Sequence, residues 1–420
     1  MSETSLQEPS LPGIEKPVAS APWRRWSRAF DAHNLATNTM FTRAIWMIYL
    51  AAHGYSPLAL GLLEMLFHAA KFVTEVPTGI FADMLGRRKS LIVYCALGAL
   101  ETLLFLTPTP PLMILSFALS GTAWAFRGGA SEAILWNIAG HAEPANQSKR
   151  YSRLVSRMYL VGMIGEIIGS TTGGYLGNLL MVLPFLLSSL FSLLGIIPLF
   201  FLPEQKVSVS ERTSALRHLG RSIQVVWRSP ALVGLLLISG LTDSCWQTIY
   251  FFYQLYLHGL GFSLSAIGLI VALSTATNFL FTAATPYLMR WLSERWLVPV
   301  FVACEILGLA LMSLSQAWLS LLGYLVFFQA SVAVLSPAIS TYINQRSPEA
   351  QRATVLSLQT GLFSAAMIVL FPLFGLGVTN VPYSTAYLWT LLALAAGVLA
   401  ILILVITLRK IRQTNAQEGK

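Results

Sequence analysis

The sequence predicts an all-α membrane protein with twelve transmembrane helices arranged as two pseudo-symmetric six-helix bundles. Three observations carry that prediction: twelve apolar runs of membrane-spanning length, a one-sided distribution of cations, and an internal repeat at an offset of 207 residues. The chain is 55% hydrophobic and only 11% charged, with a mean hydropathy of +0.66. A soluble protein carries about 25% charged residues, so much of this surface must face an apolar medium.

The runs fall at about 34–54, 58–80, 89–107, 111–138, 152–178, 181–202, 230–256, 263–289, 296–315, 317–342, 353–376 and 383–408. A helix of about 20 apolar residues crosses the hydrocarbon core, and only helices supply this many spans with such short connections. Three of the 27 Lys and Arg lie well inside spans: Arg43, Lys71 and Arg127. The others lie on one side, in the N-terminal segment, in or beside the loops after spans 2, 4, 6, 8 and 10, and in the C-terminal tail. The positive-inside bias then places both termini in the cytoplasm, in a multi-pass protein of the cytoplasmic (inner) membrane. The formal charge of +9 is therefore read as a topology signal, and nucleic acid is not expected as a partner.

The expected organisation is a cytoplasmic tail over 1–32, a six-helix bundle over 33–202, a central loop over 203–229, a second bundle over 230–409 and a tail over 410–420. The first twenty residues are polar, with three Glu and three Pro, and lack a signal-peptide pattern. In "APWRRWSRAFDAH", Trp23, Trp26 and Phe30 share one helical face, opposed by Arg24, Arg25 and Arg28. Leu216, Leu219, Ile223 and Trp227 repeat that pattern in the central loop. Both read as interfacial helices; connector helices with basic faces are the alternative. Cys95, Cys245 and Cys304 sit within apolar runs and form neither a disulfide pattern nor a metal cluster. No catalytic triad or nucleotide loop is present, so neither enzyme activity, nor cofactor, nor metal is expected.

"GYSPLALGLL" begins at Gly54 and "GFSLSAIGLI" at Gly261. The same offset aligns Thr78 with Thr285, Arg88 with Arg295 and Asn137 with Asn344. Two six-span halves in the same orientation form a transporter architecture, with the substrate path between them.

Between spans 2 and 3, "PTGIFADMLGRRKS" holds Gly79, Asp83, Gly86, Arg87 and Arg88. These residues match the G-x-x-x-D-x-x-G-R-R signature of the major facilitator superfamily. Over about residues 30–410 the chain resembles that family, and in particular its twelve-span drug:proton antiporters. The resemblance implies a monomeric transporter in which Asp83 docks on the N-terminus of span 11 when the cytoplasmic side is closed. The second-half copy has lost the pattern, with Arg290 in place of the aspartate.

An ionised residue at a span centre costs about 2.5–3.5 kcal/mol on insertion scales, so it needs a partner or a wet cavity. On span 2, Glu64, His68, Lys71 and Glu75 form one helical stripe. The equivalent residues in the second half are Val271, Thr275, Asn278 and Thr282, none of them ionisable. Arg43, Lys71 and Arg127 face five intramembrane carboxylates: Glu64, Glu75, Glu132, Glu166 and Asp243. The excess carboxylates are candidate proton carriers, Glu64 first among them. Arg43, His68, Lys71 and Arg127 are candidate charge partners or substrate-binding groups. The competing structural reading pairs Lys71 with Glu75 and Arg127 with Glu132. Glu101 and Glu305 fall on spans 3 and 9, which are peripheral in the superfamily, and read as structural.

In span 5, Gly165, Gly169, Gly173 and Gly174 permit close helix packing. They also resemble the glycine motif of antiporters, with Ser170 in place of its proline. Together with aromatics such as Trp46, Trp124, Trp136, Trp246, Tyr250 and Tyr253, these features predict proton-coupled efflux of amphipathic small molecules. Proton-coupled import of a metabolite or organic anion, held by Arg43 and Arg127, is the alternative.

Overall fold

The computed structural model describes residues 22–203, 226, 229–314, 316–348 and 352–418. Among these residues the structure is helical, without strands. The first half comprises α1 (Pro22–Asn38), α2 (Trp46–Ala52), α3 (Pro57–Leu85), α4 (Arg87–Leu104), α5 (Pro110–Ala142), α6 (Gln147–Leu179) and α7 (Leu183–Leu194), the last followed by a single turn at Ile196–Leu199. The second half comprises α8 (Pro230–Gly259), α9 (Leu264–Trp291), α10 (Glu294–Ser313), α11 (Ala317–Arg346), α12 (Arg352–Asn380) and α13 (Tyr383–Glu418). A π-helical stretch, Gly323–Phe328, interrupts α11.

Seven of the described helices are long and apolar enough to cross a membrane. Only one, α3, belongs to the first half; the other six are α8 to α13. The first span divides into α1 and α2, and α4, α5 and α6 carry polar or ionisable residues within their lengths. Site residues such as Glu101, Arg127 and Glu166 lower the hydropathy of these helices, together with basic residues outside the site, such as Arg87, Arg88 and Lys89 of α4.

The repeat folds alike in both copies. Gly54 and Gly261 each turn the chain at φ +87°, a conformation that favours glycine. Ser56 then caps α3 by accepting from the Ala59 amide at 3.2 Å, and Ser263 caps α9 by accepting from Ala266 at 3.3 Å.

Packing distinguishes the two ends of the bundle. At the end bearing the Gly54 and Gly261 turns, one apolar core joins both halves, mixing Ile45, Met47 and Leu60 with Tyr253, Ile267 and Phe371. At the end bearing the termini, each half keeps its own core. Phe30, Leu91 and Ile138 belong to one; Leu232, Val298 and Ile339 belong to the other. The halves are sealed at one end and packed separately at the other.

The N-terminal amphipathic segment is not a separate surface helix. It begins α1, which runs unbroken into the first span as far as Asn38. Its apolar face turns toward protein: Phe30 is buried with Leu91 and Ile138, and Trp23 and Trp26 pack beside them. The central-loop segment around Leu216 lies outside the described residues.

Candidate functional site

The site begins at the break in the first span. Residues 39–45 leave the helix between α1 and α2 and lie directly on the glycine face of α6. A Cβ at Gly165 would sit 3.0 Å from the Leu35 carbonyl oxygen, and one at Gly169 would sit 2.7 Å from the Met40 nitrogen. At Gly173 it would collide with the Phe41 carbonyl. These glycines therefore admit the unwound backbone against α6. Gly174 faces the other half instead, where a Cβ would strike Leu264 and Gly268 of α9.

The break presents Arg43 to Glu166 of α6, with Nε 2.8 Å from Oε1. The second half closes on this pair. The Tyr250 hydroxyl donates to Glu166 Oε1 at 3.0 Å and accepts from Arg43 Nε at 3.1 Å. Thr275 donates to the same oxygen at 3.1 Å, and Gln254 Nε2 donates to the Arg43 carbonyl at 3.0 Å. Tyr250 occupies the position in α8 equivalent to Arg43, 207 residues later. The pseudo-symmetry axis thus passes through a contact between unlike residues. Nearer the sealed end, Asn178 bonds Ser265 and accepts from the Leu264 amide at 3.2 Å. There, a Cβ at Gly61 of α3 would meet the Phe371 carbonyl of α12 at 2.6 Å.

Beside the Arg43–Glu166 pair is a cavity of about 260 Å³. Its ionisable lining is Arg43, Glu64, His68, Lys71 and Glu101, all from the first half. Aromatic walls include Trp46, Phe117 and Trp124, and the second half contributes Gln247, Phe251 and Phe363. Glu64 and His68 are buried, and Nδ1 of His68 has no hydrogen-bond partner. The span-2 stripe is therefore brought to one wall as far as Lys71, but Glu75 is exposed. Lys71 forms no ion pair with it among the described residues.

Several expected pairings are corrected. Glu166 is not an unpaired carboxylate, because Arg43 holds it. Arg127 does not pair with Glu132, since five residues along a helix separate them by about 140°. Arg127 instead donates to Oδ1 of Asn34 and of Asn38 on α1, both at 3.3 Å, and stacks over Trp124 at 4.8 Å; Glu132 is exposed. Glu101, set aside as structural, lines the cavity. In the second half, Asp243 accepts from Ser239 at 2.8 Å, which in turn accepts from Gln359 at 2.7 Å. Glu305 is fully buried and accepts from Ser331 at 3.0 Å.

At the terminus-bearing end, Asp31 of α1 pairs with Arg157 at 2.6 Å. Burial pushes its carboxyl above the usual carboxylate range, and Arg157 partly opposes that shift. Gly86 joins α3 to α4 at φ +103°, a turn that favours glycine. Arg87 opens α4, and Arg88 Nη1 donates to the Leu202 carbonyl at 3.2 Å, tying α4 to the end of the sixth span. Gly79 has open space beside its Cα, as have Gly128 and Gly129 of α5. The Asp83 side chain and residues 349–351, which precede α12, lie outside the described residues.

The sequence profile of the Major Facilitator Superfamily matches residues 34–328 and 235–420. The chain belongs to that superfamily. An uncharacterized MFS-type transporter of Bacillus subtilis, YxaM, is 24% identical over 341 residues, covering 79% of this chain and 84% of the relative. Multidrug resistance protein 2 of the same organism is 22% identical over 306 residues, covering 70% and 73%. A crystal structure of a mutant nucleoside transporter NupG superposes with a TM-score of 0.76 at 15% identity, covering 92% of this chain and all of that one. A D-xylose-proton symporter gives 0.67 at 16% identity, covering 91% and 95%. The chain is thus a multi-pass membrane transporter with the superfamily's fold. In transporters, broken helices at a repeat interface form substrate and ion sites, and the α1–α2 break at Arg43 has that form.

Proposed function

We propose that this protein is a proton-coupled exporter of amphipathic small molecules, working by alternating access between its two halves in the cytoplasmic membrane. The observation that carries the reading is the cavity between the halves, where Glu64, Lys71 and Glu101 share aromatic walls. Separate cores at the terminus-bearing end and a shared core at the other correspond to a cavity reached from the cytoplasm, with both termini on that side. Arg43 and Glu166 act as a latch: the ionised pair holds Tyr250 and Thr275 and keeps the far end shut. Glu166 is committed to that latch, which leaves Glu64 as the proton carrier, buried and facing the cavity without a cation in hydrogen-bonding contact. Asp83 at the α3–α4 turn serves the opposite gate and docks on α12 when the cytoplasmic end closes.

Everted membrane vesicles test this reading. An inside-acid gradient should load them with a fluorescent amphipathic cation, and Glu64→Gln should abolish gradient-driven loading while counterflow exchange, with Glu101 left to hold the cation, continues. Full loading by Glu64→Gln excludes Glu64 as the carrier. The Lys71 ammonium in the cavity wall favours one second reading, proton-coupled import of an organic anion; gradient-driven uptake of an anion into right-side-out vesicles, without loading of everted ones, would support it.

A further inference from the structure

We infer that the cavity selects zwitterionic aromatic compounds whose cationic and anionic groups stand at opposite ends of the molecule. The inference rests on the proposed transport function and specifies its substrate class. Arg43 contributes little net charge, because Glu166 lies 2.8 Å from it. The remaining charged lining is Lys71, Glu64 and Glu101. Lys71 and Glu64 share a face of α3 but stand seven residues apart, about 10 Å at 1.5 Å per residue. They are too far apart to neutralise each other directly; exposed Glu75, one turn beyond Lys71, acts on it electrostatically but makes no ion pair with it among the described residues.

Glu101 lines the cavity from α4, and the Ser116 hydroxyl donates to its backbone carbonyl at 2.9 Å. Between the poles lies His68, 4% exposed, with Nδ1 unpartnered. Its ring packs edge-on to Phe67 and Phe363. Trp124 and Phe251 line the cavity as well. An occupant that neutralises both poles carries an anionic group at Lys71 and an ammonium at Glu64 and Glu101, with an aromatic body between. A compound with only one of these charges leaves the other pole without a charged partner. Ammonium binding at Glu64 also competes with the proton there, which ties export to proton release.

Binding to the full-length protein in nanodiscs, with no pH gradient, tests this with three matched probes. They are 3-(4-aminomethylphenyl)propionate, its uncharged-methyl analogue 3-(4-methylphenyl)propionate, and 4-propylbenzylamine. Quenching of Trp46 and Trp124 fluorescence or calorimetry reads affinity. The zwitterion should bind at least about tenfold more tightly than either single-charge probe, as expected for one satisfied charge-assisted contact. Lys71→Gln should remove its advantage over the amine, Lys71→Arg should restore it, and Glu64→Gln with Glu101→Gln should remove its advantage over the carboxylate. Equal affinity of wild type for zwitterion and amine, no detectable zwitterion binding, or an unchanged preference in folded Lys71→Gln would overturn the inference. Zwitterion selectivity without gradient-driven transport would instead sink the coupling mechanism and leave the selectivity standing.

Discussion

The two halves share a turn geometry and differ in what they bury. Gly54 and Gly261 adopt the same φ, and Ser56 and Ser263 cap the following helices in the same way. Yet the stripe Glu64, His68, Lys71 in α3 has the counterpart Val271, Thr275, Asn278 in α9. Where Arg43 sits in the first half, Tyr250 sits in the second, and the two meet. The difference teaches how a duplicated scaffold divides its work. The first half carries the charge that lines the cavity. The second half supplies neutral hydroxyls and aromatics that close on that charge.

Removing the charge of the first half should have the largest effect. Arg43→Ala leaves Glu166 unpaired; breaking a buried pair costs about 3–5 kcal/mol, and a pair about a fifth exposed falls toward the lower figure. Thermal unfolding in detergent should register that loss, and transport should vanish; wild-type stability would make the pair dispensable. Gly173→Val comes next, since a side chain there collides with Phe41. Overpacking of this kind costs about 1–3 kcal/mol, read as a lower yield of monodisperse protein, whereas Gly128→Val, beside open space, should match wild type. On the second half, Tyr250→Phe or Thr275→Val removes one neutral donor to the Glu166 carboxylate and should cost about 1.5 kcal/mol each, the low end of the range for a hydrogen bond to a charged group because the pair is partly exposed. Should either match Arg43→Ala in effect, the division of labour between the halves would be wrong.

The repeat, the need for close packing at Gly165, Gly169 and Gly173, and the ionisable stripe of α3 were all legible in the sequence, because each follows from spacing along one chain segment. The break at residues 39–45 was not. It depends on how closely α6 lets that backbone approach, and the apolar run over 34–54 continues through it without a Pro or Gly until Gly54. The partners of Arg127 were hidden for a related reason: Asn34 and Asn38 lie on another helix, while Glu132 looked near only in sequence. Glu101 was misjudged because the rotation of α4 about its axis decides whether it faces cavity or packing, and α4 alone does not fix that rotation. One signal was available and missed: at the 207-residue offset, Arg43 aligns with Tyr250, a side chain able to donate to and accept from a charged pair.

The central claim is that the ionised Glu166, held by Arg43 and gripped by Tyr250 and Thr275, keeps the end opposite the termini shut. Spin labels at Leu180 and Leu260, exposed residues at that end of the two halves, report its width by pulsed electron resonance in nanodiscs. A single short separation in wild type, joined by a longer population in Glu166→Gln, is the predicted result. Identical distance distributions in the two proteins would contradict the account.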